Sequence, residues 1–391
     1  MENDKSMHIG AEFTLPLSRA EFRHALGTGL GRAQLHVERF GAQSVRDEIL
    51  EAATTSKVYD PQVDGLRSAW LAELCVQSDL VQVVTERRAT GSDWDRALRC
   101  ELLKQFALRG HESARVALCA ACKRWKNDFT RDYACRELVD LDGAKGLVFA
   151  ARRLGRLRIP AGVAPTASQR VQGPRQREAV QDVVGAISFA KTSLHWLRRW
   201  GRDASEEELE AVFALATPSA AAIVLENVFR CLSEAKRPPI EPWVFELLEH
   251  RDVNVRRCCA GALSHHVQPR VRAAGLAALQ VDLPLALTLL RENAIQEDIE
   301  AMVGALRPVA DRDAEHEVVC GLNELLRDNG RVRAPALASY VYERSPCMEC
   351  RQKAVEVLEA QGLTPPWLRV ECSRDASERV RKIFAKMDNP T

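Results

Sequence analysis

Apolar residues recur along this chain at three- and four-residue spacing from about Leu17 to Met387, with hardly a run that alternates. That period puts them on one face of a helix. Leu66, Trp70, Leu71 and Leu74 make one such stripe, Trp94, Leu98, Leu102 and Phe106 a second, and Leu209, Val212, Phe213 and Leu215 a third. Polar and turn-forming residues separate the stripes. Ser205-Glu-Glu-Glu208 has the spacing of a capping box, in which the serine caps a backbone amide and the glutamate reaches back. Asp252 and Asp282 stand just ahead of apolar-periodic runs, as N-caps do. Pro238-Pro239 predicts a helix ending at Lys236-Arg237, and His265-His266 closes another, where a donor side chain suits the free carbonyls. Serial helices of about 10–16 residues with short breaks predict an all-α chain of stacked antiparallel helix pairs, an α-α superhelix in which each pair covers its neighbour.

Self-similarity supports that reading. Asn254-Val-Arg-Arg-Cys-Cys-Ala-Gly-Ala-Leu263 is echoed by Arg270-Val-Arg-Ala-Ala-Gly-Leu-Ala-Ala-Leu279. Val-Arg recurs at Val45-Arg46, Val271-Arg272, Val332-Arg333 and Val380-Arg381. The stretch His250-Arg-Asp-Val-Asn-Val-Arg-Arg-Cys-Cys-Ala-Gly-Ala-Leu263 resembles the HEAT repeat, with an aspartate in the inter-helix turn, then Val-Arg, then small residues and leucine. The resemblance is clearest over 245–387. It implies a curved, HEAT-like solenoid. The Trp, Gly and Tyr signature of tetratricopeptide repeats does not occur.

The expected organisation is an N-terminal tail (1–16), N-terminal helical repeats (17–158), a loop or hinge (159–174), C-terminal HEAT-like repeats (175–387) and a short C-terminal tail (388–391). The 159–174 segment holds three prolines and two glycines, and loops of such length are often functional.

At 391 residues the chain exceeds a typical single core. No run approaches the ~18 apolar residues of a membrane span, and Met1-Glu-Asn-Asp-Lys-Ser-Met-His8 lacks the apolar centre of a secretion signal. The expected location is the cytoplasm, with no membrane partner. Most of the twelve cysteines fall on apolar stripes and are expected as buried thiols.

The formal net charge is only +1, yet it is unevenly spread. Residues 143–202 carry twelve Lys or Arg against two acids, and residues 203–250 carry ten acids against three bases. Phe149, Phe189, Trp196 and Trp200 interleave with the cations. The candidate binding set is Lys145, Arg152, Arg153, Arg156, Arg158, Arg175, Arg177, Trp196, Arg198, Arg199, Trp200 and Arg202. Such a segment attracts an acidic protein surface or a phosphate backbone. The alternative is a solvated face paired with its acidic neighbour, each pair contributing only about 0–1 kcal/mol.

No catalytic set emerges. Gly27-Thr-Gly-Leu-Gly-Arg32 lacks the strand and the Lys-Ser/Thr of a phosphate loop and reads instead as a close helix crossing. Gly110-His-Glu-Ser-Ala-Arg-Val-Ala-Leu118 resembles a metal-binding helix of HEAT-type deoxyhypusine hydroxylases. That family needs four His-Glu dipeptides, and only His111-Glu112 and His316-Glu317 are present. Of two Cys-x-x-Cys pairs, Cys119–Cys122 sits inside an apolar helix. Cys347–Cys350 follows Ser345-Pro346 at a helix start and is the weak metal candidate. The reading is a non-catalytic, cofactor-free HEAT-like scaffold or adaptor for a partner protein. The alternative is a nucleic-acid-binding solenoid using 143–202, with an architectural resemblance to HEAT-like DNA glycosylases.

Overall fold

A computed structural model describes residues 12–87, 91–124, 128–154, 177–307, 309 and 311–385. The predicted 159–174 loop and the 388–391 tail lie outside them. Among the described residues there is no strand. The helices are α1 (Arg19–Thr28), α2 (Arg32–Phe40), α3 (Arg46–Thr54), α4 (Pro61–Asp64), α5 (Ser68–Gln77), α6 (Val81–Glu86), α7 (Asp93–Leu108), α8 (Glu112–Arg124), α9 (Asp128–Asp142) and α10 (Ala144–Leu154). They continue as α11 (Val180–Ser188), α12 (Leu197–Arg202), α13 (Glu206–Phe213), α14 (Ala222–Leu232), α15 (Val253–Ser264), α16 (Pro269–Ala278) and α17 (Leu283–Leu290). The last are α18 (Ile299–Ala305), α19 (Arg312–Asp328), α20 (Pro335–Arg344), α21 (Met348–Ala360), α22 (Pro366–Cys372) and α23 (Glu378–Ala385). The class is the expected all-α arrangement of stacked helix pairs.

The described residues divide into two compact units. A central unit comprises 177–342 with 357–362, and a terminal unit comprises 12–154, 343–356 and 363–385.

In the central unit α14, α15, α17 and α19 pack each on the next, while α12, the 3-10 helix Pro242–Glu249 and α16 back α14, α15 and α17 respectively. Val212, Phe229, Val244, Val255, Leu263 and Leu289 fill the interior between them. Polar side chains at the helix ends tie one repeat to the previous one. His265 Nε2 donates to Ser233 O at 2.9 Å, Asn293 Nδ2 to Ser264 O at 3.1 Å, and Asn329 Nδ2 to Ala294 O at 2.9 Å. The separations are 32, 29 and 35 residues, the length of one helix pair and its turns. Carbonyls left free at helix ends thus find donors one repeat along. One such tie corrects the sequence expectation for α14. The helix ends at Leu232, not at Lys236-Arg237: the Ser233 carbonyl accepts from His265, and Ala235 N closes a tighter turn onto Leu232 O at 3.1 Å.

The Val-Arg recurrences have a common use in both units. Val45, Val255, Val271, Val332 and Val380 are all buried. Arg272 reaches Asp298 (Nε–Oδ2 2.8 Å), Arg256 reaches the carbonyl of His250 (3.0 Å), and Arg46 the carbonyl of Ser78 (3.2 Å). Each valine is buried, and at Arg46, Arg256 and Arg272 the adjacent arginine fastens the start of its helix to a turn.

In the terminal unit α1, α3, α5, α7 and α9 form one row, each packed on the next, and α6, α8 and α10 another. The capping box at Ser18 opens α1, with Ser18 N donating to Glu21 Oε2 at 2.8 Å. The first row would present an uncovered end at α1 and α2. The C-terminal segment covers it, as end repeats must be covered. Gly29 closes α1 with φ +82°, and its carbonyl accepts from Ala376 N at 2.9 Å. A Cβ on Gly31 would stand 1.9 Å from the carbonyl oxygen of Glu371, so only glycine admits this approach. Arg32 then grips the Glu371 carboxylate with two bonds, Nε to Oε1 at 2.6 Å and a terminal nitrogen to Oε2 at 2.8 Å. The glycine run is the close crossing that its composition suggested.

Candidate binding surface and the Asp64 cluster

The basic segment divides between the units. Lys145 and Arg152 are exposed on α10 of the terminal unit. The side chain of Arg153, and Arg156, Arg158, Arg170 and Arg175, lie outside the described residues. The remaining predicted residues belong to the central unit, on and around α12.

Helix α12 is two-faced. Leu197, Trp200 and Gly201 are buried, while Arg198, Arg199 and Arg202 are exposed. A Cβ at Gly201 would stand 1.9 Å from the Cys231 carbonyl oxygen, so α12 rests almost backbone to backbone on α14. Trp200 is a core residue, which corrects its expected place on the surface. Its Nε1 donates to Glu178 O at 2.9 Å and the Arg177 guanidinium lies 4.7 Å from its ring centre. Arg177 in turn pairs with Glu208 at 2.8 Å, and Arg202 with Glu234 at 3.1 Å. Two of the cations therefore do pair with the acidic stretch beside them.

The rest do not. Lys191, Arg198 and Arg199 are exposed and form no ion pair among the described residues. Beside them in sequence stand two exposed aromatics, Phe189 at 86% and Trp196 at 40%. The loop between these two rings is held from below by α14. Asn227, fully buried, accepts from Leu194 N at 2.8 Å and donates to Thr192 O at 3.2 Å. Glu226 accepts from Ser193 Oγ and from Arg230, and Arg230 approaches His195 Nδ1 at 3.2 Å. The exposed rings thus sit on a fastened loop.

A second cluster lies in the terminal unit. Asp64, on the single turn of α4, is 9% exposed. Its Oδ1 accepts from Met348 N at 3.0 Å, capping α21 from 284 residues away. The Cys347 thiol stands 3.8 Å from the same oxygen. Oδ2 is buried without a hydrogen-bond partner. Burial, together with the adjacent Cys347, raises the carboxyl's pKa to about 6, against the pull of Arg67. The turn before α21 is fixed by Ser345, whose Oγ accepts from Cys347 N at 3.1 Å and donates to Cys347 O at 2.8 Å. Cys350 follows one turn later, and both cysteines are buried. A cleft of about 560 Å³ adjoins the cluster, lined by residues that include Asp64, Trp70, Glu101, Met348, Gln352 and Arg379.

The other candidates resolve simply. Ten of the twelve cysteines are buried, Cys119 and Cys320 partly so. Burial drives the Cys75 thiol up to about 12, and the neighbouring Cys135 together with burial raises Cys122. Cys75 and Cys122 are thereby held as protonated thiols. Glu112 pairs with Arg115 at 3.1 Å and Glu317 with Arg257 at 2.9 Å, so both His-Glu dipeptides spend their carboxylates on surface ion pairs.

No known family matches the chain, and no curated protein does. Among solved structures it is similar to an engineered protein, at 13% identity over 93% of this chain and 99% of that one, with a TM-score of 0.26. A likeness that slight carries no argument. Among the described residues no helix is long and apolar enough to cross a membrane.

Proposed function

We propose that this protein is a HEAT-like adaptor without catalytic activity, and that its central unit docks an acidic protein segment on the surface from Phe189 to Arg199. One observation carries this reading: two exposed aromatic rings flank a loop tied down by Asn227 and are accompanied by three cations with no acid partner among the described residues. Exposed rings on a fixed backbone give contact area with little ordering cost, and unpaired cations select an acidic counterpart. The burial of Trp200 and the pairing of Arg177 and Arg202 weigh against nucleic acid, since they remove one stacking ring and two phosphate-binding cations from the predicted set.

The test compares wild type with Arg198→Glu/Arg199→Glu and with Phe189→Ala/Trp196→Ala in native co-purification. Labelled duplex and single-stranded nucleic acid are titrated in parallel at two salt concentrations. Partners retained by wild type and lost by both variants support the adaptor. Salt-sensitive nucleic-acid binding lost in the arginine variant would replace it with the polyanion reading. Partners equally retained by all three proteins would remove this surface from consideration.

A further inference from the structure

We propose that Cys347, Cys350 and Asp64 form a zinc site that fastens the N-terminal helices of the terminal unit to its C-terminal segment. This inference stands apart from the docking surface, which lies in the other unit.

The argument begins with spacing. A Cys-x-x-Cys pair at the first turn of a helix puts both sulfurs on one side, near amides that favour thiolates. Cys347 immediately precedes α21 and Cys350 lies in its first turn. Their sulfurs are within 4.8 Å of each other. Sulfurs bound at about 2.3 Å to one tetrahedral ion lie about 3.8 Å apart, so a shift of about 1 Å or less brings them into register. The Asp64 carboxylate arrives from elsewhere in the sequence, with Oδ1 3.8 Å from the Cys347 sulfur, a distance that suits two ligands of one ion. Its other oxygen, Oδ2, is buried and makes no hydrogen bond. A buried carboxylate oxygen without a partner is costly, and a cation is the partner that removes the cost. Oδ1, the oxygen beside the Cys347 sulfur, has a second lone pair for the metal while it keeps Met348 N, and the ion's charge offsets the cost of the desolvated Oδ2.

The donor set selects the ion. Two thiolates with one carboxylate oxygen suit zinc, whereas magnesium and calcium take oxygen donors alone. A fourth donor, water or a nitrogen from the chain, completes the tetrahedron. Binding makes two Zn–S bonds and one Zn–O bond, releases both thiol protons to solvent, and changes no oxidation state. Asp64 and Met348 line the adjoining cleft, which offers the ion a way in. The consequence is structural. The ion joins residues 283 positions apart, closing a long loop that unfolding must open.

The experiment uses the full chain, stripped with chelator and titrated with Co²⁺ and then Zn²⁺. The expected result is one Co²⁺ per chain, with a thiolate-to-cobalt charge-transfer band and the strong visible bands of a tetrahedral site, displaced by Zn²⁺. Cys347→Ser and Cys350→Ser should each lose the band, Asp64→Asn should weaken Co²⁺ binding by about tenfold or more, and Cys258→Ser/Cys259→Ser should leave both intact. Zn²⁺ should raise the unfolding midpoint of wild type but not of the serine variants. Should those variants fail to fold, Cys350→His decides: it should still bind Co²⁺ with about half the charge-transfer intensity. No band in wild type, or an unchanged band in Cys350→His, overturns the site, and unchanged affinity in Asp64→Asn removes the carboxylate from it.

Discussion

The guanidinium of Arg351 meets the carboxylate of Asp375 at 2.8 Å with neither side chain exposed to solvent. The same arginine donates to the carbonyls of Thr28 and Gly29, and Asp375 Oδ1 also accepts from Ser377 N at 2.7 Å. One cation therefore ties together α1, α21 and the turn after α22. Removing it leaves a buried carboxylate uncompensated and takes the side-chain donor from the Thr28 carbonyl, while the Gly29 carbonyl keeps Ala376 N. Arg351→Met should cost about 3–5 kcal/mol. Arg351→Met/Asp375→Leu should recover part of that loss, because the charge left behind is gone. Urea unfolding of the three proteins, followed by helical circular dichroism, checks the order.

Close approach at Gly31 makes a sharper demand on the same junction. Ala376 N bonds to the carbonyl of Gly29, and the Gly31 backbone faces the Glu371 carbonyl with no room for a methyl group. Gly31→Ala must push α22 away, which also loosens the Arg32–Glu371 pair. The expected loss is about 3 kcal/mol, at the upper end for overpacking. Gly27→Ala, whose Cβ would meet nothing within 4 Å, is the control and should be close to neutral. Thermal unfolding midpoints of the two variants separate these outcomes.

Local features of the fold were legible in the sequence because they depend on residues near each other. The stripe at Leu66, Trp70, Leu71 and Leu74 is buried, Ser205 and Glu208 form their capping box, and Asp252 and Asp282 cap as placed. The run Gly27 to Arg32 was readable as a crossing, though not what it crosses. Pairings at long range left no such trace. Arg32 with Glu371, Arg351 with Thr28 and Asp64 with Met348 join residues 339, 323 and 284 positions apart, and nothing in local spacing points from one to the other. The cationic surface was half legible. Composition located it near α12, but the amphipathic turn of that helix decides that Trp200 faces inward and Trp196 outward.

Asn293 holds three backbone groups at once. Its Nδ2 donates to Ser264 O and Leu289 O, both at 3.1 Å, and its Oδ1 accepts from Gln268 N at 3.0 Å. Asn293→Ala strands these groups in a buried site and should cost about 1–3 kcal/mol. Asn293→Asp keeps the shape but turns both donors into acceptors facing carbonyls, so it should be worse than alanine at neutral pH. Equilibrium unfolding of the pair tests the ranking. Equal stability would mean that the ladder from His265 to Asn329 contributes shape alone.

His36 gives the terminal unit a pH response with a definite sign. Its Nδ1 accepts from Leu17 N at 3.0 Å, and its ring lies between Phe22 and Phe40. Burial lowers its pKa below the ordinary 6.5, and the bond from Leu17 requires Nδ1 to stay unprotonated. As pH falls below about 6.5, the unfolded chain takes up a proton at this position that the folded chain refuses, so acid favours unfolding. The contribution is fully in place above pH 6.5 and declines towards the folded pKa. Buried acids such as Glu343 and Glu371 are raised by burial and act in the opposite direction, so the test is a difference. In His36→Asn the amide oxygen can still accept from Leu17 N, while nothing at the site titrates. Unfolding midpoints measured from pH 7.5 down to 5 should show wild type losing more stability than the variant, with the gap opening below about 6.5. Parallel curves would show that His36 takes up its proton equally in both states.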